Sequence, residues 1–296
     1  MNIKVGIVLC TYEPVIPQFL IQLNSLKSQT HSNFICYLMD DYSSPETISE
    51  IEKLVNDDLR FVIHYGSQNI GAYQNFEKGI KMILSEDVQF IALCDQDDYW
   101  FPEKIESQVE RLSYSNKSIT SCDLEICLQN GETLRPRLRK GARSLNFIDL
   151  LAANDVAGSS ILMTREFAKE SIPFPGGFPN LYHDYWLALL GSSKKKLDLD
   201  NRILYKFVQH GRNASGDRRS NRWDSLSVSL RNYRKLSAQK NFIKERIILI
   251  EGVRIHTYQS NIVLKRGTIL KRLLKRVHPG DRLIGLLLLA LHSSNY

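Results

Sequence analysis

Four short apolar runs punctuate the first hundred residues, at 4–9 (KVGIVL), 34–39 (FICYLM), 59–65 and 88–93, and each passes through a polar turn into a segment with helical spacing. Runs this short and apolar read as strands buried on both faces. In the segments that follow, Phe19, Leu20, Leu23 and Leu26 share a helix face, as do Phe76, Ile80 and Ile83. Ser44 before Pro45 supplies a capping hydroxyl and a first-turn proline. Strand and helix repeating in this way predict an α/β fold with a mostly parallel, Rossmann-like sheet, helices on both faces and right-handed crossovers. Such a sheet delivers the loops after its strands to one edge. That edge gathers Thr11, Glu13, Asp41, Ser43, Asn69, Gly71, Asp95 and Asp97, which are far apart in the chain.

The fourth run ends in Leu93-Cys94-Asp95-Gln96-Asp97-Asp98-Tyr99-Trp100. Three carboxylates within four residues repel one another unless a hard cation or hydrogen-bond donors neutralise them. A divalent cation carrying a phosphate is the simplest occupant. Read alone, the triplet is equally an Asp-rich turn in water, since Asp favours turns for local reasons. Phe101-Pro102-Glu103 reads as a helix start with Pro102 at its first position, which pins the acidic loop at both ends.

What is missing narrows the chemistry. No Gly-x-Gly-x-x-Gly follows the first strand and no Gly-x-x-x-x-Gly-Lys occurs, so hydride transfer on a dinucleotide and P-loop chemistry lose their main support. A nucleotidyltransferase would want a glycine-rich basic loop where Cys10-Thr11-Tyr12-Glu13 stands. Cys10, Cys36, Cys94, Cys122 and Cys127 fall mostly in apolar runs without metal-ligand spacing, as reduced core thiols do. The start of the chain reads as a strand and not as an export signal, which predicts a cytoplasmic protein. Charge is uneven. Residues 1–110 hold seven Lys and Arg against 17 Asp and Glu, a net −10; the whole chain carries +7, so residues 111–296 hold +17. An acidic half can hold a cation and a basic half can face phosphates or anionic lipid. No nucleic-acid-binding motif accompanies the basic residues, so nucleic acid is not an expected partner.

Taken in order, the strand followed by Thr11-Tyr12, then Asp40-Asp41-Tyr42-Ser43, then Asn69-Ile70-Gly71, then Asp95-Gln96-Asp97-Asp98 resembles family 2 of the nucleotide-sugar glycosyltransferases, which have the GT-A fold. Asp95-Gln96-Asp97-Asp98-Tyr99-Trp100 with Pro102-Glu103-Lys104-Ile105 is similar to its rhamnosyltransferase-like branch. The resemblance spans residues 3–215. It implies that Thr11 and Glu13 border the nucleotide, Asp41 pairs with a pyrimidine, Asn69 and Gly71 line base and ribose, Asp95 with Gln96 lies near ribose and diphosphate, and Asp97 holds Mg²⁺ or Mn²⁺. Asp98 and Trp100 are implied neighbours of acceptor or phosphate.

Beyond residue 112 the signals are sparser. Residues 119–128 read as a strand, Asn130-Gly131 as a hairpin turn, and 157–164 as a small-residue strand in which Gly158 leaves room for a ligand or another backbone. The resemblance places Gly158 and Ser159 under the acceptor side. Tyr182-His183-Asp184 opens a helix, where Asp184 is either a first-turn charge favoured by the helix dipole or, by the resemblance, the general base of an inverting transfer, with His183 beside it. Gln209-His210-Gly211-Arg212-Asn213 resembles a family stretch in which His210 joins the metal shell or touches donor phosphate, with Arg212 nearby; Phe207 and Val208 depart from the family's Tyr and Arg.

Residues 216–296 read as a basic helical extension to the 1–215 glycosyltransferase domain. Its apolar stretch at 283–291 is well short of the roughly 20 residues needed to span a bilayer. It suits either a peripheral contact with the anionic inner face of the membrane or packing against protein. The whole predicts a metal-dependent inverting glycosyltransferase. Its donor is a nucleotide sugar, dTDP-L-rhamnose first and UDP-hexose as the alternative, and its acceptor is a lipid-linked or growing surface glycan. A non-catalytic nucleotide-sugar-binding assembly subunit is the rival of another class.

Overall fold

Strand β1 (Val5–Thr11) sends successive side chains to opposite faces, as the period of two in a pleated strand requires. Ile7 and Leu9 enter one apolar cluster with Phe19, Leu23, Leu26, Ile51, Ile105 and Val109. Val8 enters the other, with Phe76, Ile80, Trp186 and Leu187. A strand with apolar partners on both faces belongs in mid-sheet. Accordingly, β1 pairs in parallel with β2 (Phe34–Asp40) on one side and β4 (Phe90–Cys94) on the other, while β3 (Phe61–Tyr65) extends β2 in parallel. Helices α1 (Ile16–Lys27), α2 (Pro45–Val55) and α3 (Gly71–Ile83) make the crossovers. The chain leaves β1 toward β2 and returns on the opposite side as β4, so the sheet's reversal point lies between β1 and β4.

The structure is a computed structural model that describes residues 3–136, 147, 150, 154, 156–176, 182–209, 253 and 256. Past β4 the sheet becomes mixed. The acidic loop leads into a two-residue strand, β5 (Tyr99–Trp100), then α4 (Lys104–Ser113), β6 (Ile119–Leu128), β7 (Thr133–Arg135), a 3₁₀ turn (Gly158–Ser160), β8 (Ile161–Thr164), α5 (Arg165–Ser171), α6 (His183–Ser193) and β9 (Leu197–Gln209). β8 runs antiparallel to β4 and β6, β6 runs parallel to β9, and β5 closes antiparallel on β9; the order is β3-β2-β1-β4-β8-β6-β9-β5, with β7 on β6. The sheet expected to be mostly parallel is wholly so across β3, β2, β1 and β4 and mixed beyond them, where β6 and β9 again run parallel.

Several local expectations are met. Ser44 accepts the Thr47 amide at the start of α2, with Pro45 in the first turn. Asn130-Gly131 turns the β6–β7 hairpin, Gly131 having φ +84°. The five cysteines are free, all buried except the half-buried Cys10. Others need correction. β3 starts at Phe61 because the Arg60 guanidinium folds back on Asp58, 2.7 Å away, and makes 58–60 a turn. Pro102 is not the first residue of α4: its carbonyl accepts the Thr30 amide at 2.9 Å, and the helix opens at Lys104. Residues 157–164 divide into the 3₁₀ turn and β8. The long β9 was hidden by its charges, since Asp198 and Asp200 point to Arg111 and Asp200 also pairs with Arg202.

Of the expected basic extension, the two described residues meet protein: Val253 is buried in the core and the His256 ring meets that of Trp186 edge-on at 5.0 Å. His210, Arg212 and the rest of the extension lie outside the described residues. Among the described residues no helix is long and apolar enough to cross a membrane.

One buttress escaped the sequence. Arg165 donates from its guanidinium to the carbonyls of Leu84 and Glu86 at 2.5 Å each and of Val88 at 3.3 Å, collecting the orphan carbonyls where α3 ends and β4 approaches. An Arg165→Ala variant is expected to lose about 2–3 kcal/mol in urea unfolding, and Arg165→Lys to regain less than half, since a point charge cannot serve three diverging acceptors. A loss in Arg165→Ala too small to move the urea midpoint would contradict this role.

Candidate active site

The loops after β1, β2 and β4 are wired to one another before any ligand is considered. Gln96 accepts the Tyr12 amide at 2.9 Å and returns its own amide to the Tyr12 carbonyl at 3.3 Å, tying the acidic loop to the β1 loop. Its side chain thus serves the shape of the edge. Glu13, held at φ +41°, turns its carboxylate to the start of α2, where it accepts from the Ser44 amide at 2.5 Å and the Thr47 hydroxyl at 2.8 Å. The Ser44 amide, followed by the Thr47 hydroxyl, holds the Glu13 carboxyl below its ordinary range. Glu13 borders the edge while its charge is spent as a helix cap.

Asp41 is buried, and its two oxygens accept the amides of Ile70 (2.9 Å) and Gly71 (2.8 Å), fixing the entry of α3 beside β2. Gly71 takes φ +81° with open space where a side chain would stand, so glycine is used there for its backbone. Each Asp41 oxygen keeps a further lone pair for another donor. Asn69, directly before, is exposed. Thr11 is buried, with its hydroxyl unpartnered among the described residues, and its carbonyl accepts the Asp41 amide at 2.8 Å.

In the acidic loop the three carboxylates have different surroundings. Ser159 accepts the Asp95 amide at 2.9 Å and donates its hydroxyl to Asp95 Oδ2 at 3.1 Å. Burial and then the charge of Asp97 push the Asp95 carboxyl up to about 7, against the pull of Ser159. Asp97 is half-buried. Asp98 is 1% exposed. The Ser159 hydroxyl and Val208 amide lie nearby, yet neither Asp98 oxygen has a hydrogen bond of ordinary geometry among the described residues. Burial, followed by Asp95 and Asp97, drives the Asp98 carboxyl far above its usual range.

Crowded carboxylates with orphaned, buried oxygens are what a hard cation would relieve. Among the described residues no three His, Cys, Asp or Glu side chains form a complete cage. A hard cation that takes one or two carboxylates and completes its shell with substrate phosphates needs no such cage. The oxygen donors fit Mg²⁺ or Mn²⁺ better than a softer metal.

The 3₁₀ turn and α6 close the other side. A side-chain carbon added at Gly158 would lie 2.5 Å from His183 Nε2 and 3.6 Å from Asp95 Oδ2. The imidazole and the acidic loop therefore approach each other over a residue that must have no side chain. His183 stacks on Phe76, centroids 3.8 Å apart, and burial lowers its pKa to about 3, so the ring is neutral. Asp184 follows in the first turn of α6, half-buried, with Oδ1 accepting the Tyr185 amide at 2.6 Å. The start of α6 is thus beside the acidic loop, on the same sheet edge.

Trp100 is a correction. It is fully buried, with its ring beneath Lys104, and cannot neighbour an acceptor or phosphate; its place is in the support of the loop. Sequence reasoning also missed Lys104 as part of that support. It lies on the buried stripe of α4 with Ile105, Val109 and Leu112, a helical spacing that marks it as inward-facing.

The family model described as glycosyl transferase family 2 matches residues 6–172, more than half of the chain. A Bacillus subtilis protein named for a glycosyltransferase of teichuronic acid biosynthesis, TuaG, is 22% identical over 82% of this chain and 90% of its own length. The dTDP-rhamnosyl transferase RfbG of Shigella flexneri is 28% identical, over only 35% of this chain and 36% of its own. Among solved structures, S. aureus TarS 1–349 in complex with UDP superposes with a TM-score of 0.56 at 13% identity, covering 95% of this chain and 85% of that one. The mannosyltransferase PcManGT of Pyrobaculum calidifontis, in complex with GDP-Man and Mn²⁺, gives 0.50 at 13%, covering 98% and 79%. At such identities these structures establish the fold, which is the expected GT-A type.

Proposed function

The chain belongs to glycosyl transferase family 2, and from that premise we propose that it moves a sugar from a nucleotide diphosphate donor to a hydroxyl of a growing surface glycan, with inversion at the anomeric carbon. The observation that carries this reading is the meeting of two chemistries over Gly158: the acidic loop after β4 and the first turn of α6. Asp97 and His210 would hold the cation, Asp98 is buried in the same loop as Asp97, and Asp95 would face ribose and diphosphate. A bound Mg²⁺ or Mn²⁺ supplies charge stabilisation to the departing diphosphate. Asp41, Asn69, Gly71 and Thr11 line the nucleotide side, and Arg212 serves phosphate.

Asp184 takes the proton of the acceptor hydroxyl as its oxygen attacks the anomeric carbon. A sugar hydroxyl is a poor nucleophile at neutral pH and needs a positioned carboxylate. Attack from the face opposite the diphosphate inverts the centre in one displacement, and no protein nucleophile is required.

For the donor, the similarity of the acidic stretch to the rhamnosyl branch and the partial likeness to RfbG favour dTDP-L-rhamnose. The UDP bound by TarS keeps a UDP-hexose as the second reading. The excess of Lys and Arg in the extension supports a lipid-linked acceptor and a peripheral place at the inner membrane face. A panel of nucleotide sugars with and without Mn²⁺, scored by thermal stabilisation, tests this, because a ligand that binds only the folded state raises the midpoint by mass action. dTDP-L-rhamnose is expected to give the largest cation-dependent shift. A larger shift with a UDP-hexose would reassign the donor, and no shift with any nucleotide sugar would refute the function.

A further inference from the structure

We infer that His183 sets the place of the base: its imidazole, stacked on Phe76 and seated over Gly158, fixes the first turn of α6, and with it Asp184, beside the acidic loop. The inference rests on the reading of Asp184 as the proton acceptor. Among the described residues no side chain caps the start of α6, and Tyr182, at the cap position, is exposed. An uncapped helix end frays, so where Asp184 stands depends on how its turn is packed. Trp186 anchors the helix further along, its indole donating to the Ser171 carbonyl at 2.9 Å. That bond lies on the C-terminal side of Asp184. On the N-terminal side the hold is His183, which is 7% exposed.

The imidazole lies against a fixed surface. Its plane is 28° from that of the Phe76 ring, and Phe76 is buried in the core. Phe76 belongs to α3, whose entry is set by the two amides that Asp41 accepts. The base is thereby placed with reference to the nucleotide side of the sheet edge. Burial keeps the ring neutral, so its hold on Asp184 is one of place and not of charge.

Gly158 decides which side would yield to an intruding group. A side-chain carbon there would stand 2.5 Å from His183 Nε2 and 3.1 Å from Cε1, closer than unbonded atoms pack, but 3.6 Å from Asp95 Oδ2, an ordinary contact. An added methyl group therefore presses on the imidazole and spares the acidic loop. The displaced ring carries the first turn of α6 with it. His183 is a positioning residue that acts through Asp184, and a reacting group misplaced by about 1 Å costs up to about a hundredfold in rate.

The test compares Gly158→Ala, His183→Ala and the double variant, each as the full chain. Affinity is read as Mn²⁺-dependent calorimetric binding of UDP or dTDP, and turnover as hydrolysis of dTDP-L-rhamnose or a UDP-hexose, in which water takes the place of the acceptor hydroxyl. Each single variant is expected to bind nucleotide diphosphate within about twofold of the unaltered chain and to hydrolyse donor at least about tenfold more slowly. The double variant is expected to be no slower than His183→Ala, because the methyl group then has room and the two costs do not add. Loss of nucleotide affinity together with turnover in Gly158→Ala would mean that the glycine makes room for the donor, and it overturns the inference. Full additivity, or undiminished turnover in folded His183→Ala, overturns it as well. Should Gly158→Ala fail to fold, His183→Ala alone decides. Asp184→Asn, measured beside them, separates the two readings: if it hydrolyses donor as the unaltered chain does, the base reading has failed and the inference with it; if it is slowed, a contrary result in the other variants removes only the role of His183.

Discussion

Asp184→Asn is expected to bind nucleotide diphosphate as the unaltered chain does and to turn donor over about a thousandfold more slowly, the range in which positioned general bases operate. The substitution is nearly isosteric. The Asn carbonyl can still accept the Tyr185 amide that Asp184 Oδ1 accepts at 2.6 Å, so the first turn of α6 keeps its local bond. What disappears is the proton acceptor and a first-turn charge, and the latter is worth only about 0.3–1 kcal/mol of helix stability. Donor affinity by calorimetry and nucleotide diphosphate release in the presence of acceptor separate the two effects. Loss of both together would make Asp184 a structural residue, and undiminished release would place the base elsewhere. A chain that binds donor but never releases product even unaltered would be the non-catalytic assembly subunit.

The parts of this molecule that were legible in its sequence are those governed by local rules. β1, β2 and β4 announce themselves because a strand covered on both faces has almost no polar positions. Ser44-Pro45 marks a helix start because the capping hydroxyl and the fixed proline φ act within one turn. The convergence of Asp41, Asp95 and Asp97 on one edge follows from topology, and the β1–β4 reversal fulfils it. β9 was not legible, because a strand whose acids are matched by arginines from α4 and from the strand itself looks solvated in isolation. The inward turn of Trp100 was likewise hidden, since its pairing with Tyr205 lies a hundred residues away. The resemblance puts Gln96 and Glu13 at the nucleotide edge, and the structure adds that both side chains also tie together the loops that frame it. A polar residue at a sheet edge has two uses, shaping the edge or touching what binds there, and only the partner across space separates them. Gly158 shows the opposite case: a lone glycine in a small-residue run carries little signal, yet the approach of His183 Nε2 over it depends on the missing side chain.

Asp97→Asn is expected to abolish the dependence of nucleotide diphosphate binding on Mn²⁺ and to cut turnover about a thousandfold, close to 4 kcal/mol of transition-state stabilisation. The three carboxylates of the loop are not equivalent. Asp95 is engaged by Ser159 through both its amide and its carboxylate, and Asp98 is enclosed in the interior. Asp97 stands between them, half-buried, and its charge contributes to the upward push on both neighbours. Removing that one charge relieves the crowding, so the variant should fold at least as well as the original while losing the field that attracts a cation. A structural carboxylate would behave in the reverse way, with stability falling and the EDTA response unchanged. Equal affinity for UDP or dTDP with and without EDTA in the unaltered chain would leave nothing for Asp97 to lose, and the acidic loop would then be a turn shaped by its own hydrogen bonds.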